Sequence, residues 1–251
     1  RELWVNLKRA GIYLPLVLLL WLFVYLINTL SWYIIIRSGG KPGFSFSRLY
    51  KFTVTGFALN YVTPVGLMGG EPYRIMELKP FIGIERATSS VILYVMMHIF
   101  SHFCFWLSSV LLYLCLYPVG WVMGTILGTI TVFCLLVAML FVKGYQHGMA
   151  VAFVRLGSHL PFLKKKVIRF ADSHREQLEN IDKQIALLHQ QKKGAFYAAL
   201  FLEYTARVVS CLEIWLILNV LTRSVSFADC CLIAAFSSLL ANLLFFLPMQ
   251  L

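Results

Sequence analysis

Long apolar stretches separated by short polar loops dominate this sequence. A helix needs roughly 20 consecutive, mostly apolar residues to cross about 30 Å of hydrocarbon, and several stretches have that length. The whole chain is 60% hydrophobic and only 13% charged, whereas soluble domains carry about 25% charged residues. We therefore expect an all-α integral membrane protein, a polytopic helix bundle. The predicted spans are 12–36, 87–116, 119–142 and 195–221.

Two further apolar segments, 52–68 and 227–251, are less regular. Pro64 and Gly66 interrupt the first segment, and Pro248 interrupts the second. Proline and glycine break helices, and irregular backbone survives at membrane depth only where protein or water satisfies its polar groups. This pattern favours broken or re-entrant helices, although either segment could also span the membrane.

The two interrupted segments resemble each other. In each, a Ser-Phe pair is followed by an asparagine and then a proline: Asn60 and Pro64 in the first, Asn242 and Pro248 in the second. Transporters often contain such repeats, with paired discontinuous helices at the substrate site. A possible internal repeat is therefore predicted, and chance similarity between two apolar stretches remains the alternative.

Basic residues are concentrated in the polar segment 143–193. Apolar residues recur there at helical spacing between charged ones, which indicates an amphipathic helix on a membrane surface or against a partner helix. Excess Lys and Arg marks cytoplasmic loops, so we expect this segment to be cytoplasmic. The net charge of +11 then reflects contact with anionic lipid headgroups, and nucleic-acid binding is not expected.

The densest group of polar residues lies between Asn60 and Arg74. Glycines let backbone approach a ligand closely, and Glu71 and Arg74 supply both signs of charge. This combination suits a zwitterionic or aminoacylated phospholipid headgroup. The alternative is an interfacial loop with an i,i+3 ion pair. The candidate substrate-binding residues are Asn60, Pro64, Gly66, Gly69, Gly70, Glu71 and Arg74.

This run resembles the lysylphosphatidylglycerol synthase transmembrane-region family, whose membrane domain is shared with the flippase half of the bacterial multiple peptide resistance factor. The matching residues are Asn60, Pro64, Gly66, Gly69, Gly70, Glu71, Arg74 and Leu78. The resemblance implies a multi-spanning lipid translocase in the bacterial cell (inner) membrane. No soluble aminoacyl-transferase domain is visible in the sequence, so enzymatic activity is not expected. The sequence ends at Leu251, inside the stretch that resembles the family's later motif. We therefore expect one membrane domain, 1–251, that is truncated at its C-terminus.

Ionisable residues inside the predicted spans are candidates for a pathway or gate, because such residues usually face a bundle interior or a wet cavity. Glu203 and Arg207 lie four residues apart on one helix face, which also fits a structural ion pair. His98 and His102 have the same spacing. A proton-coupling role is possible for them, while a polar stripe facing the bundle interior is the simpler interpretation.

The sequence therefore predicts a flippase-like protein that binds phospholipid or lipid-linked headgroups and moves them between leaflets. Asn242 and Pro248 join Glu203, Arg207, His98 and His102 as predicted pathway residues. Membrane lipids, anionic or aminoacylated, are the expected partners. No catalytic residue, metal or cofactor is predicted, and the oligomeric state is left open. The rival functions are an integral-membrane enzyme that modifies a lipid headgroup and a non-transporting envelope scaffold.

Overall fold

The computed structural model describes residues 11–62, 69–147, 179–180, 183, 193–221 and 225–244. Every regular element longer than two residues in these ranges is an α-helix, and no strand occurs among them. The helices are α1 (Tyr13–Ser38), α2 (Phe46–Val62), α3 (Gly70–Ile82), α4 (Ile84–Leu116), α5 (Trp121–His147), α6 (Lys193–Leu221) and α7 (Phe227–Leu244). The predicted all-α membrane fold class is confirmed.

Among the residues that the structure describes, three helices are long and apolar enough to cross a membrane. They are α1, α4 and the Trp121–Met139 part of α5, with mean hydropathies of 2.1, 1.8 and 2.3. Apolar side chains point outward along them, and Leu18 and Leu19 are both 60% exposed. Such surfaces are costly in water and suit lipid.

The remaining candidate spans differ in composition. Helix α6 has 29 residues, but it contains Glu203, Arg207 and Glu213. The apolar part of α7, Phe227–Asn242, is shorter. Helix α6 covers the predicted span 195–221, and α7 begins where the predicted segment 227–251 begins. Whether either helix crosses the bilayer stays a prediction.

Several predicted features lie outside the described residues. These are Pro64 and Gly66, the end of the second interrupted segment including Pro248, and nearly all of 148–192. The amphipathic character of 143–193 and the internal repeat therefore remain predictions.

The chain divides into two compact units, and α1, α4, α5 and α6 each contribute to both. The α2–α3 unit comprises Asn28–Phe100 and Ala138–Leu202, and the α7 unit comprises Arg1–Ile27, Ser101–Val137 and Glu203–Leu251.

In the α2–α3 unit, apolar side chains from α1, α2, α3 and α4 form the core. Trp32, Leu49, Leu78 and Met97 have no exposed surface. The start of α6 joins them through Ala199, whose carbonyl accepts a hydrogen bond from Ser31 Oγ at 3.1 Å.

Helices α2 and α3 form an antiparallel hairpin within this unit. Asn60, near the end of α2, contacts Gly70 at the start of α3, whereas Thr53 lies beside Arg74 one turn further along. Helix α3 ends at Gly83, which has φ +79, a left-handed conformation that glycine adopts without steric cost. Both ends of the hairpin therefore emerge at one face of the unit.

In the α7 unit, α4, α5, α6 and α7 pack around Trp106, Cys134, Cys211 and Ala235. Two side-chain hydrogen bonds add polar links between helices: Trp106 Nε1 donates to Ser238 Oγ at 2.9 Å, and Tyr204 OH donates to Ser108 Oγ at 2.9 Å. Such bonds align helices where no water competes.

The start of α7 is capped by its own side chains. Asp229 N donates to Ser226 Oγ at 3.1 Å, and Ser226 Oγ donates back to the Asp229 carboxylate at 2.7 Å. The carboxylate also accepts a hydrogen bond from Tyr117 OH. That bond raises the pKa of Tyr117, because it favours the protonated phenol.

Candidate functional site

Asn60 joins the two arms of the hairpin where α2 ends and α3 begins. Its Oδ1 accepts a hydrogen bond from Gly70 N at 2.6 Å, while its Nδ2 donates to Glu71 Oε1 at 3.1 Å. The first amides of a helix lack intrahelical acceptors, and Gly69 at the N-cap offers no side chain to supply one. Asn60 therefore caps α3 from another helix and orients the Glu71 carboxylate at the same time.

Arg74 lies one turn into α3 and points inward, with only 1% of its surface exposed. Its Nη1 donates to Glu71 Oε1 at 3.3 Å, and its Nη2 lies 3.5 Å from the Thr53 carbonyl oxygen. The predicted i,i+3 ion pair therefore exists, but one partner is fully buried. A buried arginine must be compensated by charge and polar contacts.

Aromatic rings supply much of the environment of Arg74. Its Cζ lies 4.7 Å from the ring centroid of Phe57, 5.4 Å from that of Tyr94 and 5.9 Å from that of Trp32. The face of an aromatic ring attracts a cation, and the attraction grows when water is excluded. These rings come from α1, α2 and α4, so the guanidinium joins four helices of this unit.

Two glycines make room for this arrangement. A Cβ on Gly56 would overlap Arg74 Nε and lie 2.9 Å from its Cζ, and a Cβ on Gly70 would overlap the Gly56 carbonyl oxygen. Only glycine allows α2 and α3 to approach this closely. The sequence had marked Gly70 as a place where backbone approaches a ligand, whereas the structure shows it approaching another helix.

Three buried polar atoms around Arg74 have no hydrogen-bond partner within the described ranges: Glu71 Oε2, Arg74 Nε and Trp32 Nε1. Glu71 differs from the other two residues because its side chain is 28% exposed. One carboxylate oxygen is thus fixed by Asn60 and Arg74, and the other keeps its capacity to accept. We define Asn60, Gly70, Glu71 and Arg74 as the polar tip of the hairpin.

The family model described as lysylphosphatidylglycerol synthase TM region matches residues 1–251. The chain belongs to this family. No curated protein and no solved structure matches the chain significantly. Membership of the lysylphosphatidylglycerol synthase TM region family supports a membrane protein related to lipid modification or translocation.

Among the other candidate residues of this family member, His98 lies in the α2–α3 unit, whereas His102, Glu203 and Arg207 lie in the α7 unit. Glu203 is 1% exposed and lies in the α7 unit. On the same helix, Arg207 donates from Nε and Nη2 to Ser101 Oγ at 3.3 and 3.2 Å. Glu203 is therefore buried and Arg207 is partly buried, and their role in a pathway or gate stays a prediction.

The two histidines belong to different units. His98 packs against Phe57 and Tyr94, with ring centroids 6.1 and 6.4 Å apart, and His102 packs against Trp106 at 5.7 Å. Aromatic packing therefore accounts for part of their environment, and a proton-coupling role stays a prediction.

Asn242 does not resemble Asn60 in its contacts. Its side chain is exposed and its Nδ2 donates to the Ser238 carbonyl of its own helix at 2.7 Å. The residues that sequence reasoning missed are Thr53, Trp32, Phe57 and Tyr94. Their types are ordinary in apolar helices, so no local signal identifies them.

Proposed function

We propose that this protein is a lipid translocase, which binds phospholipid or lipid-linked headgroups and moves them between the leaflets of a bacterial cell membrane. The observation that carries the proposal is a buried oxygen of Glu71 that lies beside a buried arginine and has no hydrogen-bond partner in the described part of the chain. Charged groups inside a membrane protein are expensive and are commonly retained for transport or binding.

The polar tip lowers the cost of bringing a headgroup below the membrane surface. In the mechanism we propose, the partly exposed Glu71 side chain rotates so that its Oε2, which is buried in this structure, accepts a hydrogen bond from the headgroup. An amine of an aminoacylated lipid is the best match for a carboxylate. Arg74 is too buried to reach a headgroup, so it acts as a positioning residue that pairs with Glu71 and orients its carboxylate. The acyl tails remain in lipid throughout.

Two ionisable residues of the α7 unit are proposed for the rest of the pathway. Glu203, which is buried, and Arg207, which is partly buried and bonded to Ser101, would line or gate it. We further propose that residues 143–193 face the cytoplasm, in keeping with their excess of Lys and Arg.

The test uses the purified full chain in liposomes that contain headgroup-labelled lipids. The headgroup panel includes phosphatidylglycerol, phosphatidylethanolamine, a lysyl-phospholipid and phosphatidylcholine. We expect faster leaflet exchange than in protein-free liposomes, with the largest acceleration for amine-bearing headgroups. Folded protein that accelerates none of the four lipids would contradict the proposal.

The second candidate function is an integral-membrane enzyme that modifies a headgroup. The relation of the family to lipid modification as well as translocation favours it. Incubation with the same lipids, followed by mass spectrometry of the lipid extract, distinguishes the two functions. A new headgroup mass that disappears in Glu71→Gln would favour the enzyme, and unchanged lipid masses with fast exchange favour the translocase.

A further inference from the structure

The structure brings together two basic segments that are distant in sequence. Arg86 Nη2 donates to the Ile36 carbonyl at 2.8 Å and to the Gly40 carbonyl at 2.6 Å. This cation at the carbonyl end of α1 also interacts favourably with the helix dipole. It fixes the loop that follows α1 against the start of α4.

Phe81, near the end of α3, closes the same region from the other side. Its ring lies 5.5 Å from that of Phe44 and 5.0 Å from the Arg48 guanidinium. The end of α1, the start of α2, the end of α3 and the start of α4 therefore lie at one end of the α2–α3 unit, opposite the polar tip of the hairpin.

This end carries a marked excess of positive charge. Residues 37–51 contain four basic residues and no acidic one, and residues 77–86 contain two of each. We define the basic end as Arg37, Lys41, Arg48, Lys51, Lys79 and Arg86. All of them except Arg86 are exposed, and none lies within ion-pair distance of a carboxylate in the part of the chain that the structure describes.

Exposed apolar side chains lie among these cations. Met76 is 71% exposed, Ile84 is 47% exposed and Phe81 is 37% exposed. Cations beside apolar groups are typical of protein surfaces at the boundary between headgroups and acyl chains. An acidic protein or a nucleic acid would match the charge but leave this apolar surface uncovered.

We propose that the basic end is a surface that binds the headgroups of anionic phospholipids. The unpaired cations attract the phosphates, while Phe81, Ile84 and Met76 enter the edge of the acyl layer. Because an excess of Lys and Arg marks the cytoplasmic side of a membrane protein, the surface also orients the unit. The α2–α3 hairpin then enters the membrane from the cytoplasmic face and returns to it. This surface does not depend on translocation.

The experiment measures which lipids the purified full chain retains. The protein is extracted from nanodiscs that contain equal amounts of phosphatidylglycerol and phosphatidylcholine, and native mass spectrometry gives the ratio of the two co-bound lipids. We expect retention to favour phosphatidylglycerol and to weaken as salt rises, because salt screens exposed charges. The test variant combines Lys41→Gln, Arg48→Gln and Lys79→Gln. Each cation removed should lower the preference about fivefold.

The matched control conserves charge and combines Lys41→Arg, Arg48→Lys and Lys79→Arg. It should keep the wild-type preference for phosphatidylglycerol. Thermal unfolding of both triple variants checks that each is folded. Equal retention of the two lipids by the wild type, or an unchanged preference in the glutamine variant, would overturn the proposal. If leaflet exchange is absent but the charge-dependent preference is present, the translocase function fails and this surface stands.

Discussion

Gly56 provides the space that Arg74 occupies: a Cβ at position 56 would lie 2.9 Å from the Arg74 Cζ and still closer to its Nε. The relationship gives a simple test of the packing of α2 on α3. In most helix interiors, alanine is more stable than glycine by roughly 0.5–1 kcal/mol. Here the sign is reversed because the added methyl group collides with a buried, multiply contacted side chain.

We predict that Gly56→Ala lowers the free energy of unfolding by about 1–3 kcal/mol, the usual cost of overpacking. The control is Gly128→Ala in α5, where an added Cβ meets nothing within 4 Å. That variant should be neutral or slightly stabilising. The measurement is thermal unfolding in detergent, and equal behaviour of the two variants would refute the close packing at Gly56.

Replacing Arg74 tests the aromatic environment separately from the charge. Arg74→Lys keeps the cation but removes the planar guanidinium that lies against Phe57, Tyr94 and Trp32. Arg74→Met removes the charge as well and leaves Glu71 without its ion-pair partner. We expect Arg74→Met to lower stability by about 3–5 kcal/mol, with Arg74→Lys between it and the wild type.

Combining Arg74→Met with Glu71→Gln shows whether the pair is coupled. The double variant should be more stable than Arg74→Met alone, because it no longer buries an uncompensated carboxylate. Additive losses in chemical or thermal unfolding would mean that the two residues contribute independently, contrary to the 3.3 Å contact between them.

Asn60 performs two roles that a pair of substitutions can separate. Asn60→Ala removes the acceptor for Gly70 N and the donor to Glu71, so we expect a loss of about 1 kcal/mol, as for a helix cap. Asn60→Asp keeps the acceptor but places a second carboxylate beside Glu71. Its stability should therefore improve as pH falls and the new carboxylate is protonated, whereas Asn60→Ala should show no such gain. Unfolding curves between pH 4 and 8 provide the comparison.

Arg207 offers a test of the proposed pathway in the α7 unit. We predict that Arg207→Gln slows leaflet exchange at least tenfold in liposomes, because the variant removes an interior charge that the proposal assigns to the pathway. Ser101→Ala is the matched variant, since it removes the hydrogen-bond acceptor of Arg207 but keeps the charge. If Arg207→Gln is folded and exchanges lipid as fast as Ser101→Ala, Arg207 is structural.

Local sequence signals were sufficient for the fold class and for part of the polar tip. Apolar length, which depends only on nearby residues, predicted an all-helical membrane protein, whereas α3 occupies a polar stretch, Gly70–Ile82, that was not predicted to be a helix. Asn60, Glu71 and Arg74 could be grouped because only a short segment separates them. The sequence did not show that Arg74 points into the unit.

The environment of Arg74 could not be predicted because it is built from distant segments. Trp32 and Tyr94 are aromatic residues in apolar helices, and their local patterns do not distinguish a cation partner from ordinary core. The hydrogen bond from Arg86 to the Gly40 carbonyl could not be predicted for the same reason, because the two residues are distant in sequence. It depends on how α1 and α4 pack, which periodicity alone does not specify.

The most direct test of the central claim compares Glu71→Gln with Glu85→Gln for leaflet exchange of an amine-bearing phospholipid. Both substitutions remove one carboxylate charge, but only Glu71 belongs to the polar tip, while Glu85 lies in the first turn of α4. We predict that Glu71→Gln slows exchange at least tenfold while Glu85→Gln retains the wild-type rate, with both proteins folded. Equal exchange rates for the two variants would contradict the assignment of Glu71 as the residue that receives the headgroup.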